Sequence, residues 1–150
     1  MKNVLVIGVG NIFRGDDAAG LLAAQRLRAF SLPGATVLEQ SGEGAALMAT
    51  WEEADYVILI DAVSSGGELG FVYRFEATER PLPTQLFNSF SSHAFGVAEA
   101  VEMARLLDKL PPKLIVYGIE GKSYGMGEPL SVEVEGGVET AVRQIQQEMA

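Results

Sequence analysis

The stretch GVGNIFRGDDAAG, residues 8–20, constrains this chain more than any other. It follows the apolar run VLVIG and leads into a helix-like run, AAGLLAAQRL. A glycine-bearing loop between a buried strand and a helix is the ligand loop of open α/β sheets, which bind at the carboxyl ends of their strands. What the loop lacks sharpens the reading. A dinucleotide fingerprint, GxGxxG, would need glycine at Phe13. A P-loop needs Lys and then Ser or Thr after its last glycine, whereas Asp16 and Asp17 follow Gly15. Two carboxylates there repel the phosphate that backbone N–H groups and the helix dipole would attract. The loop has the build of a ligand loop and the charge of a cation site.

The rest of the chain alternates strands with helices. Residues 2–8 read as a first strand, buried on both faces because its apolar residues are continuous. A helix is expected from Asp17 to about Phe30, with an Asp near its N-cap and Pro33-Gly34 beyond its end. Residues 35–39 form a short strand, 45–53 a second helix, and 56–60 (YVILI) another buried strand that ends at Asp61. Residues 69–75 alternate and carry Tyr73 and Arg74, which suits an edge strand. After an irregular stretch, a helix opens at His93 and runs to about Lys109, closed by Pro111-Pro112. Residues 113–117 are the last strand, 118–129 a flexible glycine-rich loop, and 131–149 a closing helix with apolar residues at helical spacing. This order predicts an α/β fold: one domain over residues 1–150, with a mostly parallel sheet and helices on both faces.

Composition narrows the function. A length of 150 residues suits one domain, and 48% hydrophobic content suits an ordinary globular core. The net charge of -9 argues against nucleic acid and against anionic membrane surfaces, both of which need clustered Lys and Arg. With no cysteine, zinc fingers, iron–sulfur clusters and a cysteine nucleophile are excluded. The apolar start is short and broken by Gly8 and Gly10, so it reads as a core strand rather than a signal peptide. No run reaches the ~18 apolar residues of a membrane span. The expectation is a cytoplasmic monomer.

Three residues share one kind of address. Asp17 follows the first strand, Asp61 follows the YVILI strand, and His93, the only histidine, opens a helix after the edge strand. In a doubly wound sheet the first two become neighbours if the first and third strands pair. Two carboxylates and a neutral imidazole carry a charge that matches a divalent metal, and such donors suit nickel, zinc and several other ions. Each residue also has an ordinary role open to it. Asp16 or Asp17 can cap a helix, Asp61 can start a turn, His93 can sit exposed in a loop, and Ser91 and Ser92 can be caps. Shared position is what groups the three. Residues 121–125 fit the letters GxSxG, but no helix follows Ser123 and the histidine precedes it, against the order of a nucleophile elbow.

GVGNIFRGDDAAG, VILIDAV, SSHAFGVAEA and YGIEGKSYGMGEPLSVEVEGGV together resemble the hydrogenase maturation endopeptidases, in order and over nearly the whole chain. The resemblance implies a five-stranded twisted sheet between helices. It implies removal of a C-terminal extension from the large subunit of a nickel–iron hydrogenase, after nickel insertion. It places the family's metal-contacting positions on Asp17, Asp61 and His93, with the nickel brought by the substrate precursor rather than stored. Two positions depart from the family pattern. Asp17 stands where Glu is frequent, and Gln40 stands near a frequent Asp in a segment associated with the class of hydrogenase recognised. The version here resembles the subfamily serving soluble or cofactor-reducing hydrogenases. Without a cysteine or a serine triad, hydrolysis is expected to use water, with Asp17 or Asp61 as general base and the metal orienting or polarising the scissile bond.

Two other classes fit parts of the pattern. A phosphoacceptor receiver domain has an acidic pair after its first strand, an Asp after its third and a Lys after its last, for which Lys122 is available. A non-catalytic metal-binding scaffold of the peptidase fold would keep the three residues without cleaving anything.

Overall fold

The structure, a computed structural model, describes residues 3–30, 32–87 and 95–150, without the side chain of Thr84. Its centre is β3 (Tyr56–Val63), whose residues are all buried, as a strand covered on both faces must be. The parallel strands β1 (Val4–Val9) and β5 (Lys113–Glu120) flank it. β2 (Ala35–Gln40) lies parallel on the outside of β1, and β4 (Val72–Glu76) closes the far edge antiparallel to β5. The sheet order is β2-β1-β3-β5-β4. The expected five-stranded, mostly parallel sheet and its edge strand are therefore present.

Helices α1 (Ala19–Ala29) and α4 (Val132–Met149) cover one face, burying Ala23, Leu27, Val138 and Ile145 against Ile58 and Ile60 of β3. On the other face, α2 (Gly44–Trp51) and α3 (Val97–Leu106) bury Leu47, Trp51, Val101 and Ala104 against Val57 and Leu59. α2 starts where Glu43 accepts hydrogen bonds from the N–H groups of Ala45 (2.9 Å) and Ala46 (3.0 Å), satisfying two of the donors a helix start leaves open. The acidic start of α4 is solvated and paired: Glu135 and Glu139 reach Arg26 of α1 at 3.3 and 3.5 Å.

Several boundaries differ from the sequence reading. β3 does not stop at Ile60, because Asp61, Ala62 and Val63 continue the ladder opposite Gly118, Ile119 and Glu120. Asp61 is thus a strand residue, and the first three residues of the expected 118–129 loop belong to β5. A short 3-10 helix (Gly15–Ala18) precedes α1, and neither helix start carries a side-chain cap, so the Asp expected near the N-cap has other work. α3 begins at Val97 rather than His93. Ser91, Ser92 and His93 lie outside the described residues.

Glycine sets the seating of α1. A methyl group on Gly20 would lie 2.2 Å from the carbonyl oxygen of Ile60 and 2.5 Å from that of Val9. The start of α1, with Asp17 just before it, is thereby drawn against the ends of β1 and β3. Alanine ordinarily gains about 1 kcal/mol over glycine inside a helix. Here Gly20→Ala is expected to destabilise by about 3 kcal/mol, because two backbone carbonyls cannot yield as a side chain would. Thermal denaturation of the variant checks this, and a rise in melting temperature would contradict the close seating.

Candidate active site

The chain leaves β1 toward one face of the sheet and β2 toward the other, so the covering helices diverge beyond the carboxyl ends of β1 and β3. Such a switch point is where open α/β sheets form their ligand crevice. A cleft of about 370 Å³ lies there, and Asp17 and Asp61 both line it with Gly10, Arg14, Gln40 and Tyr124. The pairing of β1 with β3 brings the two carboxylates to one edge, as the sequence reading required.

Their environments make them a pair. Asp61 is only 7% exposed. Its Oδ1 accepts a hydrogen bond from the N–H of Ala62 at 2.9 Å. Burial, with the negative charge of Asp17 added, pushes the Asp61 carboxyl well above the usual carboxylate range. A cation between the two would remove that repulsion, so the oxygen donors fit a divalent ion. Among the described residues no group of three or more His, Cys, Asp or Glu side chains is close enough to hold a metal. Of the three residues grouped in the sequence, Asp17 and Asp61 line the cleft, and His93 lies outside the described residues.

Asp16, adjacent in sequence, does something different. It is fully buried and its carboxylate points away from the cleft's acidic pair, into the loop 121–131. There it accepts from the N–H groups of Lys122 (2.9 Å), Ser123 (3.0 Å) and Ser131 (2.7 Å), and from the Ser131 hydroxyl (2.9 Å). Its own N–H donates to the Ser123 carbonyl at 2.7 Å. Burial raises the Asp16 pKa, but these donors outweigh it and the carboxyl ends below its ordinary value. The loop expected to be flexible is tied down by this one side chain. Ser123, the serine of the GxSxG letters, is a backbone partner in the same clamp.

Tyr124, from the clamped loop, is buried and donates its hydroxyl to the Val63 carbonyl at 2.7 Å. Burial, followed by the charges of Asp16, Glu120, Asp61 and Asp17, pushes its phenol far up, so it stays a neutral donor. Glu120, 1% exposed at the end of β5, accepts from the Ser65 N–H (2.8 Å) and from the Tyr73 hydroxyl (3.1 Å). It holds the loop that follows Asp61. Sequence reasoning missed Asp16, Tyr124 and Glu120 as site builders. The doubled aspartate was the one visible signal, since a single metal-facing carboxylate does not require a second beside it. Lys122 is exposed and does not line the cleft, which leaves the receiver reading without its lysine.

Comparison with known proteins bears on this geometry. The hydrogenase maturation protease family matches residues 22–148. The chain is 32% identical over 138 residues to the hydrogenase expression/formation protein HupD of Bradyrhizobium diazoefficiens, covering 91% of this chain and 67% of that one. It is 28% identical over 144 residues to the hydrogenase 2 maturation protease of Escherichia coli, covering 95% and 87%. The solved structure of the hydrogenase maturating endopeptidase HybD from E. coli superposes with a TM-score of 0.75 at 25% identity, over 95% of this chain and 89% of that one. The matched segment holds Asp61 and His93. On these grounds the chain belongs to the hydrogenase maturation protease family, whose members hydrolyse peptide bonds.

Proposed function

We propose that this protein removes the C-terminal extension of a nickel–iron hydrogenase large-subunit precursor after nickel insertion, and that Asp17, Asp61 and His93 recognise the nickel the precursor carries. The observation that supports this most is the state of Asp61: buried, and opposed by the charge of Asp17. A precursor presenting a divalent cation relieves that opposition, whereas a metal-free precursor leaves Asp61 buried beside the charge of Asp17, with its ionised form still disfavoured. Recognition then comes from metal–ligand bonds, with nickel as part of the substrate.

The chain has no cysteine, and Ser123 lacks the context of a nucleophile elbow, so water is the nucleophile in this reading. Either carboxylate can take its proton: Asp17 from the half-buried side of the cleft, or Asp61 once the cation has brought it to the ionised form. Held by Asp17, Asp61 and His93, the precursor's nickel would supply orientation of the scissile bond or polarisation of its carbonyl. Tyr124 and Glu120 hold the end of β3 and the loop after it. The protein is read as a cytoplasmic monomer whose partner is the precursor, with neither nucleic acid nor membrane involved. No helix among the described residues is long and apolar enough to cross a membrane.

The test is processing of purified, nickel-loaded precursor by wild-type protein and by Asp17→Asn, Asp61→Asn and His93→Ala. Each variant is expected to lose activity while keeping the wild-type circular dichroism spectrum. Normal rates in two of the three would sink the proposed site. Tight binding of the precursor with no cleavage by the wild type would favour the scaffold alternative.

A further inference from the structure

The cleft is too small to account for selection of one protein. Its volume of about 370 Å³ is that of a small-molecule pocket and takes only a short stretch of extended chain. Specific protein recognition buries roughly 800 Å² on each partner. Contacts that select a folded substrate therefore lie outside the cleft, on surface continuous with it.

One rim has the required character. Ile12 lines the cleft and is still 45% exposed; Phe13, next in sequence, is 68% exposed. Met126, on the facing loop, is 66% exposed. Phe and Met are enriched at the cores of protein interfaces. The two loops are fastened together: the N–H of Gly127 donates to the Phe13 carbonyl at 2.8 Å, and Asp16 clamps both flanks of the second loop. Within the first loop, the Phe13 N–H donates to the Asn11 side chain at 2.9 Å and the Arg14 N–H to the Asn11 carbonyl at 3.2 Å. Large apolar side chains are thus held out in water on a backbone fixed by hydrogen bonds. This is pre-organisation, which lowers the ordering cost of binding. Beside them, Arg14 is the one cation among the described cleft-lining residues, against Asp17, Glu39 and Asp61.

We propose that Ile12, Phe13 and Met126 form a docking lip for the folded body of the hydrogenase large-subunit precursor, meeting an apolar patch at the root of its C-terminal extension. This rests on the proposed function: if the extension enters the cleft, the body it hangs from must sit on the rim. Ile12 belongs to both surfaces and joins them.

The experiment compares wild type, Phe13→Ser/Met126→Ser and Leu106→Ser on nickel-loaded precursor. Leu106 is 84% exposed at the far end of α3, away from the cleft, and controls for loss of any surface apolar group. The double variant is expected to raise KM by about tenfold or more with kcat nearly unchanged, as loss of interface anchors should. Leu106→Ser should behave as wild type. Wild-type KM in the double variant would overturn the lip. If the wild type cleaves no precursor, the proposed function fails first. The lip is then decided by direct binding of the precursor to wild type and double variant: weaker binding by the variant supports it, and equal binding overturns it.

Discussion

Asp61→Asn is expected to stop processing while raising the melting temperature. The loss follows from the role proposed for it in the cleft: removing a group that takes a proton in the reaction costs about 10²–10⁴-fold in rate. The gain follows from its burial. Folding raises the Asp61 pKa, so the native state resists losing this proton more than the unfolded chain does. Native stability therefore falls as pH climbs above the ordinary value of 3.8, where the unfolded chain ionises freely. Asparagine has no proton to lose and escapes that fall. The difference between variant and wild type should be clear at pH 7 and should vanish at about pH 3. Melting curves across pH read it directly. An Asn variant less stable than wild type at neutral pH would mean that Asp61 is held by bonds stronger than its contact with Ala62. A site whose members destabilise the fold is the usual cost of function.

Asp16→Ala and Asp17→Asn, one residue apart, are expected to fail in opposite ways. Asp16 gathers three backbone donors and a hydroxyl in a fully buried place. Deleting its carboxylate leaves those donors without an acceptor, at about 1–3 kcal/mol for each one left unsatisfied. Because folding lowers the Asp16 pKa, its contribution is complete above the ordinary value of 3.8 and disappears as pH falls through the lower folded value. The penalty of Asp16→Ala should therefore shrink in strong acid. Asp17→Asn removes a charge that opposes Asp61, so it should leave stability within about 1 kcal/mol of wild type or slightly above it, while processing is lost. Urea denaturation of both variants, beside activity of both, separates an anchor from a site residue. Equal stability in the two would contradict the division of labour.

Much of this was legible in the sequence because the strands are apolar runs bounded by turn residues. YVILI reads as a doubly covered strand, and VLVIG before a glycine loop reads as a strand leading into the sheet's ligand edge. Asp17 and Asp61 could be assigned to one cleft because parallel strands put every following loop at the same end. The extension of β3 through Asp61 was not legible. Its last three residues pair with Gly118, Ile119 and Glu120, and the glycine there imitates the start of a loop. Nor was the role of Asp16. A helix cap and a clamp on a loop more than 100 residues away look alike in sequence, and only the carboxylate's direction tells them apart. Glu120 was hidden for the same reason: a charged residue at a strand end is ordinarily solvated, and its burial depends on Ser65 and Tyr73 arriving from two other segments. Gly20 shows the converse. The DDAAG run reads simply as helix, and the close approach of two carbonyls becomes apparent only in the packing.

The most direct measurement is the intact mass and nickel content of the hydrogenase large subunit from cells with and without this gene, followed by treatment of the purified precursor with the protein. The account predicts that the deletion strain accumulates a subunit longer by a C-terminal peptide and already holding nickel. The purified protein should then remove that peptide from the nickel-loaded form and leave the nickel-free form intact. Equal trimming of both forms would contradict the recognition of nickel by Asp17, Asp61 and His93.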